Sequence, residues 1–148
     1  ELTHLVLYQI TGTNYETLPK WLDEGLAAVM EGALDPNEQF ILEEAIAGGT
    51  TIPFSQLCTE FPVDGRQALL AYAQSASLIR YIQAEYGNNL LSQMVLVHAD
   101  GADCASMVTR TLNISLAQLN EDWLRSINPQ SSLVTLLQNN LVWLLLVA

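Results

Sequence analysis

Basic residues and cysteines are scarce in this chain of 148 residues. Five lysines and arginines stand against sixteen aspartates and glutamates, which gives a formal net charge of −11. A surface of this sign repels phosphate backbones and offers no basic patch to anionic lipid headgroups, so we expect no nucleic-acid partner. Two cysteines are too few for a disulfide scaffold. They could be free buried thiols or a single bridge, and spacing alone does not decide between them.

Glycine and proline are also sparse, with eight and five copies, while half of the residues are apolar. This composition argues against disorder and suffices for one domain with a buried core. The apolar stretch LVWLLLVA at 141–148 is far shorter than the ~20 residues that cross a bilayer. It predicts either a short helix that closes the core or the first turns of a membrane anchor, with Trp143 near the interface.

Helical spacing and helix-capping signals cover most of the sequence, and no stretch keeps the two-residue alternation of a strand. Leu22, Leu26 and Val29 form an i, i+4, i+7 stripe. The stretches DPNE at 35–38, DGRQ at 64–67 and SLAQ at 115–118 have the composition of helix N-caps. We therefore predict an all-α chain, with one helical domain over 1–127 and a linker with an apolar segment over 128–148.

The first four residues, ELTH, raise the question of a zinc motif. Glu1 and His4 fit the second and fifth positions of H-E-x-x-H, whose first histidine would precede Glu1. In that motif two histidines one helical turn apart bind zinc, and the glutamate takes a proton from the zinc-bound water. Taken alone, the pair fits an ordinary solvated helix face equally well.

A second segment, LPKWLDEGLA, gives the zinc hypothesis its weight. Glu24 follows His4 by twenty residues on the next predicted helix, and glutamate commonly joins two histidines as the third ligand of a catalytic zinc. A short loop would fold the two helices antiparallel, and Gly25 would let another backbone approach closely. The alternative is a surface helix whose outer face carries Asp23, Glu24 and Glu31.

Together these segments resemble the gluzincin metallopeptidases, in which H-E-x-x-H precedes a helix with W-L-x-E-G-x-A. The bacterial peptidase-MA-like group is the closer match, because AYAQSASLIRYIQAEYG at 71–87 and TLNISLAQLNEDWLRSI at 111–127 resemble its later helices in the same order. The similarity covers residues 1–127. It implies the helical C-terminal part of a zincin-like catalytic domain, with the N-terminal sheet and the first histidine absent from this sequence.

The resemblance implies a Zn²⁺ cofactor bound by His4 and Glu24, with Glu1 as general base and a peptide or protein as substrate. A ligating histidine usually donates its other ring N–H to a carboxylate or carbonyl, for which Asp23 and Glu31 are both candidates.

Tyr72 corresponds to a tyrosine that in the zinc aminopeptidases stabilises the oxyanion of the tetrahedral intermediate. Gln74 and Ser75 depart from the lysine and glycine expected after it, which puts that role in doubt. Tyr72 fits equally well as one more aromatic on the inward face of a long helix.

Membership of such a group would imply an extracytoplasmic, membrane-anchored protein of the bacterial cell envelope. In that setting a single disulfide between Cys58 and Cys104 is expected. His98, the only other imidazole, is expected to be solvated and to lie outside the metal site.

Two hypotheses of function follow. The first is a zinc metallopeptidase of gluzincin type; the 148-residue chain itself should bind zinc weakly and cleave nothing, since two protein ligands rarely hold a catalytic zinc. The second is a non-catalytic helical ectodomain, a degenerate peptidase that binds a partner. The residue preceding Glu1 would discriminate between them. A weaker third hypothesis is a membrane-associated scaffold whose function lies in residues 141–148.

Overall fold

A computed structural model of the chain describes residues 1–32 and 35–128. Within these ranges the chain is helical and contains no strand, which confirms the all-α prediction. The elements are α1 (Leu2–Thr11), a 3₁₀ segment (Gly12–Thr17), α2 (Lys20–Glu31), α3 (Pro36–Gly48), α4 (Phe54–Leu57), α5 (Gly65–Tyr86), α6 (Asn88–Ala99), α7 (Cys104–Leu112) and α8 (Leu116–Ile127).

The helix starts follow the capping signals of the sequence. Asp35 and the glutamate three residues later form a complete capping box at α3. The side chains of Asp64 and Ser115 accept hydrogen bonds from backbone N–H groups in the first turns of α5 and α8. α5 ends at Gly87, whose φ of 84° is costly for other residues. Local chemistry therefore sets these boundaries, and the three helix starts are those that the N-cap stretches predicted.

Helix α5 lies at the centre of the fold and contacts α2, α3, α6 and α8. The approach of α2 depends on Gly25, since a Cβ there would lie 2.7 Å from the Ser75 carbonyl oxygen. Gly25 is buried, and the tight crossing matches the close approach expected of it. This contact fixes the position of the adjacent Glu24 along α5.

Gln74 accounts for one of the departures from the aminopeptidase pattern. It is fully buried on α5, and its amide accepts from the Ile52 N–H at 2.7 Å and donates to the Ile52 carbonyl at 2.9 Å. Both polar groups of a buried loop residue are thereby satisfied. At this position the side chain has a structural role, joining the loop before α4 to the central helix.

Cys58 and Cys104 form a disulfide with their Cα atoms 5.9 Å apart, which confirms the expected bridge. It ties the end of α4 to the start of α7. The indole N–H of Trp21, a fully buried residue in the first turn of α2, donates to the Cys104 sulfur at 3.4 Å. The disulfide therefore supports the beginning of the helix that carries Glu24.

None of the helices in the described part of the chain is long and apolar enough to cross a membrane. The linker and apolar segment predicted over 128–148 lie, from residue 129 onward and including LVWLLLVA, outside the described residues.

Candidate metal site

The structure brings His4 of α1 and Glu24 of α2 together. The His4 Nε2 atom lies 3.9 Å from the Glu24 Oε2 atom. Zinc binds imidazole nitrogen and carboxylate oxygen at about 2.0–2.2 Å, so two such atoms can share one ion when they are within about 4.2 Å of each other. The two side chains are therefore close enough to bind one metal ion. Both side chains are partly exposed, so the pair is open to solvent.

The other ring nitrogen of His4 is held by Asp23. His4 Nδ1 lies 2.7 Å from Asp23 Oδ1, and the Asp23 side chain is almost completely buried. A carboxylate at Nδ1 favours the tautomer that carries its proton there, and this leaves the Nε2 lone pair facing Glu24. Of the two candidates for this contact, Asp23 makes it. Glu31 lies instead 3.7 Å from the N-terminal amine.

Tyr15 and Lys20 complete the environment of Asp23. The Tyr15 hydroxyl donates to Asp23 Oδ2 at 3.2 Å, and the Lys20 ammonium lies 3.2 Å from the same oxygen. Burial and the neighbouring Asp23 carboxylate raise the pKa of Tyr15 to about 12, so the hydroxyl stays protonated and remains a donor. Sequence reasoning missed Tyr15. The one available signal was a tyrosine in the short connection between the two motif helices.

The charged form of Glu24 is disfavoured in the folded chain. Burial is the largest cause that raises the pKa of its carboxyl, and the neighbouring Asp23 carboxylate raises this pKa further. His4 and Lys20 lower it. A carboxylate in such surroundings gains when a cation arrives beside it. This electrostatic imbalance is what a cation-binding position would have before the cation binds.

Tyr72 lies on α5 at the edge of this group. Its pKa is raised by partial burial and, second, by the Glu24 carboxylate, while Lys20 lowers it. The ring is half-buried and meets the Phe61 ring edge-on at a centroid distance of 4.9 Å. Tyr72 therefore packs against Phe61 and also lies near Glu24. Its position is compatible with both predicted roles, an aromatic on the inward face of α5 and a hydrogen-bond donor beside the metal site.

Glu1 occupies the N-cap position of α1, and its side chain is fully exposed. Within residues 1–32 and 35–128, no three His, Cys, Asp or Glu side chains are arranged to hold a metal ion together. The described part of the chain therefore supplies His4 and Glu24 as a pair of potential ligands, ordered by Asp23.

The family model of the Peptidase MA superfamily matches residues 1–129. The chain belongs to this superfamily. Comparison with curated proteins and with solved structures found no significant match.

Membership of the Peptidase MA superfamily confirms the resemblance drawn from ELTH and WLDEG, and it makes the protein a peptidase-type enzyme at the level of the family. The helical architecture is that of the helical part of a Peptidase MA domain.

His98 corrects one sequence-based expectation. It is 2% exposed rather than solvated. Its Nδ1 atom lies 2.9 Å from the Ala102 carbonyl oxygen, and its Nε2 atom lies 3.0 Å from the Asn14 carbonyl oxygen. Burial is tolerated because the ring has polar partners: the carbonyl oxygens accept from a ring N–H, and the Thr17 hydroxyl, 3.5 Å from Nε2, can donate to a ring nitrogen that carries no proton. His98 thus joins the end of α6 to the 3₁₀ segment that connects the two motif helices.

Proposed function

We propose that this member of the Peptidase MA superfamily is a zinc-dependent peptidase of gluzincin type, with His4 and Glu24 as zinc ligands. The observation that carries the proposal is the position of the His4 ring, which has Asp23 at one nitrogen and Glu24 at the other. Zinc, when bound, lowers the pKa of a coordinated water to ~7 and polarises a substrate carbonyl.

The donor set suits this metal. Imidazole nitrogen and carboxylate oxygen are common zinc ligands, and a carboxylate behind the histidine is the usual way to fix its orientation. A catalytic zinc normally has three protein ligands. In this proposal the third is a histidine preceding Glu1, which the resemblance to H-E-x-x-H implies.

The remaining residues have roles that follow from their chemistry. Glu1 accepts the proton of the attacking water on its exposed carboxylate and passes it to the leaving amine. Tyr72, whose raised pKa keeps its hydroxyl protonated, donates a hydrogen bond to the oxyanion. Asp23 holds His4 in one orientation and stays outside the reaction itself.

The proposal also includes a location outside the cytoplasm. The Cys58–Cys104 disulfide supports it, since such bonds persist mainly in oxidising compartments. Membrane attachment through residues 141–148 remains part of the proposal and concerns residues outside the described ranges.

The test uses the full-length gene product, purified with zinc and assayed for bound metal and for cleavage of a casein substrate. His4→Ala and Glu24→Gln should each remove stoichiometric zinc and abolish cleavage. Glu121→Gln, an exposed glutamate on α8, serves as the matched control and should retain both.

Two outcomes would count against the proposal, and a third against the weak zinc binding expected of the 148-residue chain. Retention of zinc by both variants would exclude His4 and Glu24 as ligands. A folded wild-type protein that binds no zinc and cleaves nothing would favour the non-catalytic ectodomain. Tight zinc binding and cleavage by the 148-residue chain would contradict the weak binding expected of two ligands.

A further inference from the structure

Residues 58–64 between α4 and α5, called here the Phe61 loop, expose apolar side chains on an otherwise acidic protein. Val63 is completely exposed. The ring of Phe61 is only half-buried, against Tyr72. A hollow of about 510 Å³ lies beside these residues and is lined by the loop together with Gln56 and Gln67. Exposed apolar side chains grouped around a hollow commonly mark a binding surface.

The Phe61 loop is fixed at both ends. Cys58 at its start is bonded to Cys104 of α7. Asp64 at its end caps α5 by accepting a hydrogen bond from the Gln67 N–H at 3.1 Å. A short loop held in this way loses little conformational entropy when a ligand binds, which favours binding.

The loop adjoins the candidate metal site through Tyr72. Phe61 contacts one side of the Tyr72 ring. One helical turn further along α5, the Ser75 carbonyl oxygen lies against Gly25, the residue after Glu24. A ligand that extends from the His4–Glu24 pair past Tyr72 therefore meets Phe61 next.

Charge restricts what can bind there. Glu60 and Asp64 flank the apolar residues of the loop, and among the described residues no basic side chain lines the hollow. A carboxylate brought to this surface would be repelled, while a lysine or arginine would be attracted. The loop is therefore complementary to an apolar side chain with neutral or basic neighbours.

We propose that the Phe61 loop is a specificity subsite that binds a large apolar side chain of an extended peptide next to the scissile bond. Phe61 and Val63 provide the apolar contacts, and Glu60 and Asp64 disfavour peptides with acidic neighbours. This inference rests on the proposed peptidase function and names the substrate class for the same site.

The test compares two fluorescently labelled peptides on the full-length holoenzyme, Lys-Ala-Phe-Ala-Lys and Lys-Ala-Ala-Ala-Lys. Phe61→Ala should lower kcat/KM about tenfold more for the phenylalanine peptide than for the alanine peptide, because only the former uses the apolar contact. Phe61→Leu should restore most of the loss. Phe40→Ala, at an exposed phenylalanine on α3, is the control and should change neither.

Binding measured by fluorescence anisotropy separates the two proposals. If the wild-type protein cleaves neither peptide but Phe61→Ala still loses affinity for the phenylalanine peptide alone, the peptidase function fails and the subsite stands. Equal loss for both peptides, or no loss, overturns the subsite.

Val63→Ser covers the case in which Phe61→Ala does not fold, because the Val63 side chain is completely exposed and its replacement leaves the core intact. It should weaken binding of the phenylalanine peptide selectively. If instead the wild-type protein sediments as a dimer, and Val63→Ser dissociates that dimer without changing peptide binding, the loop is a self-association surface and the subsite proposal is wrong.

Discussion

Asp23 is the residue on which the geometry of the candidate metal site depends. It is a buried carboxylate paired with an imidazole, a phenol and an ammonium group. Each of these pairings offsets part of the cost of burying a charge. Asp23 is therefore as important to the geometry of the candidate metal site as Glu24, the residue after it.

We expect Asp23→Ala to weaken zinc binding by the full-length protein roughly 10- to 100-fold, because His4 loses the partner that orients its ring. The free energy of unfolding should fall by about 1–3 kcal/mol, since three partly buried donors lose their common acceptor. Competition with a chelator and urea denaturation measure the two effects.

Tyr15→Phe provides the graded comparison for Asp23→Ala. It removes one donor to Asp23 and leaves the contact with His4 in place. The loss of zinc affinity should be smaller than for Asp23→Ala. An equal or larger loss would mean that Tyr15, not the contact between Asp23 and His4, controls the site.

Glu24 should make metal-free protein less stable at neutral pH than Glu24→Gln. Burial and the Asp23 carboxylate raise its folded pKa above the 4.5 of an unperturbed glutamate, the value expected in the unfolded chain. The charged form is thus the unfavourable one in the folded state. The penalty is fully present above the folded pKa and disappears as the pH falls through that value towards the unfolded pKa.

Urea denaturation in the presence of a chelator, repeated over a series of pH values, tests this expectation. The stability advantage of Glu24→Gln should be present at neutral pH and should shrink on acidification through the folded pKa of Glu24. A wild-type protein that is the more stable of the two at neutral pH would contradict the prediction.

At the scale of helices, the crossing of α2 and α5 depends on one glycine. A Cβ on Gly25 would lie 2.7 Å from a backbone oxygen and 2.8 Å from the Ile79 side chain. Backbone cannot move aside cheaply, so Gly25→Ala should cost about 1–3 kcal/mol of unfolding free energy. Because the helix that carries Glu24 would shift, zinc affinity should fall as well.

Gly48→Ala is the matched control for Gly25→Ala. Gly48 is also helical, but a Cβ there would come no closer than 3.6 Å to the Thr50 side chain. Alanine is the better helix former, so this variant should be neutral or slightly stabilising. Similar losses for the two variants in thermal denaturation would refute the role assigned to the close crossing.

The link between α5 and the loop before α4 depends on Gln74. Gln74→Leu would leave the buried N–H and carbonyl of Ile52 without their partner. We expect a loss of about 2–4 kcal/mol in urea denaturation, because two buried polar groups become unsatisfied. The same substitution at the exposed Gln93 of α6 should change stability little; a comparable loss there would point to leucine itself as the cause.

The elements could be predicted from the sequence because their determinants are local. A capping side chain and the N–H that it satisfies are two or three residues apart, as at Asp35 and Asp64. The proximity of His4 and Glu24 could also be predicted, since motif spacing and family resemblance both indicate it.

What the sequence could not predict are contacts between distant segments. The buried position of His98 depends on the Asn14 carbonyl, eighty-four residues away. The function of Gln74 depends on Ile52, in a loop that carries no recognisable signal. For Asp23, two carboxylates satisfied the same requirement, and only the packing of α1 on α2 selects one.

At the scale of the whole molecule, the disulfide closes a loop of 46 residues that contains α5 and α6. Loop closure reduces the entropy of the unfolded chain, and for this length the reduction corresponds to about 4 kcal/mol of stability. For a single small domain, this is a large share of the total free energy of unfolding, typically about 5–15 kcal/mol.

Reduction should therefore lower the urea midpoint strongly, and the Cys58→Ser/Cys104→Ser double variant should match the reduced wild-type protein. Trp21, whose indole N–H contacts the Cys104 sulfur, should change its fluorescence before global unfolding. Adding reductant to the double variant is the control and should have no effect. If reduced and oxidised protein unfold at the same urea concentration, the bridge adds nothing to stability and gives the proposed location outside the cytoplasm no support.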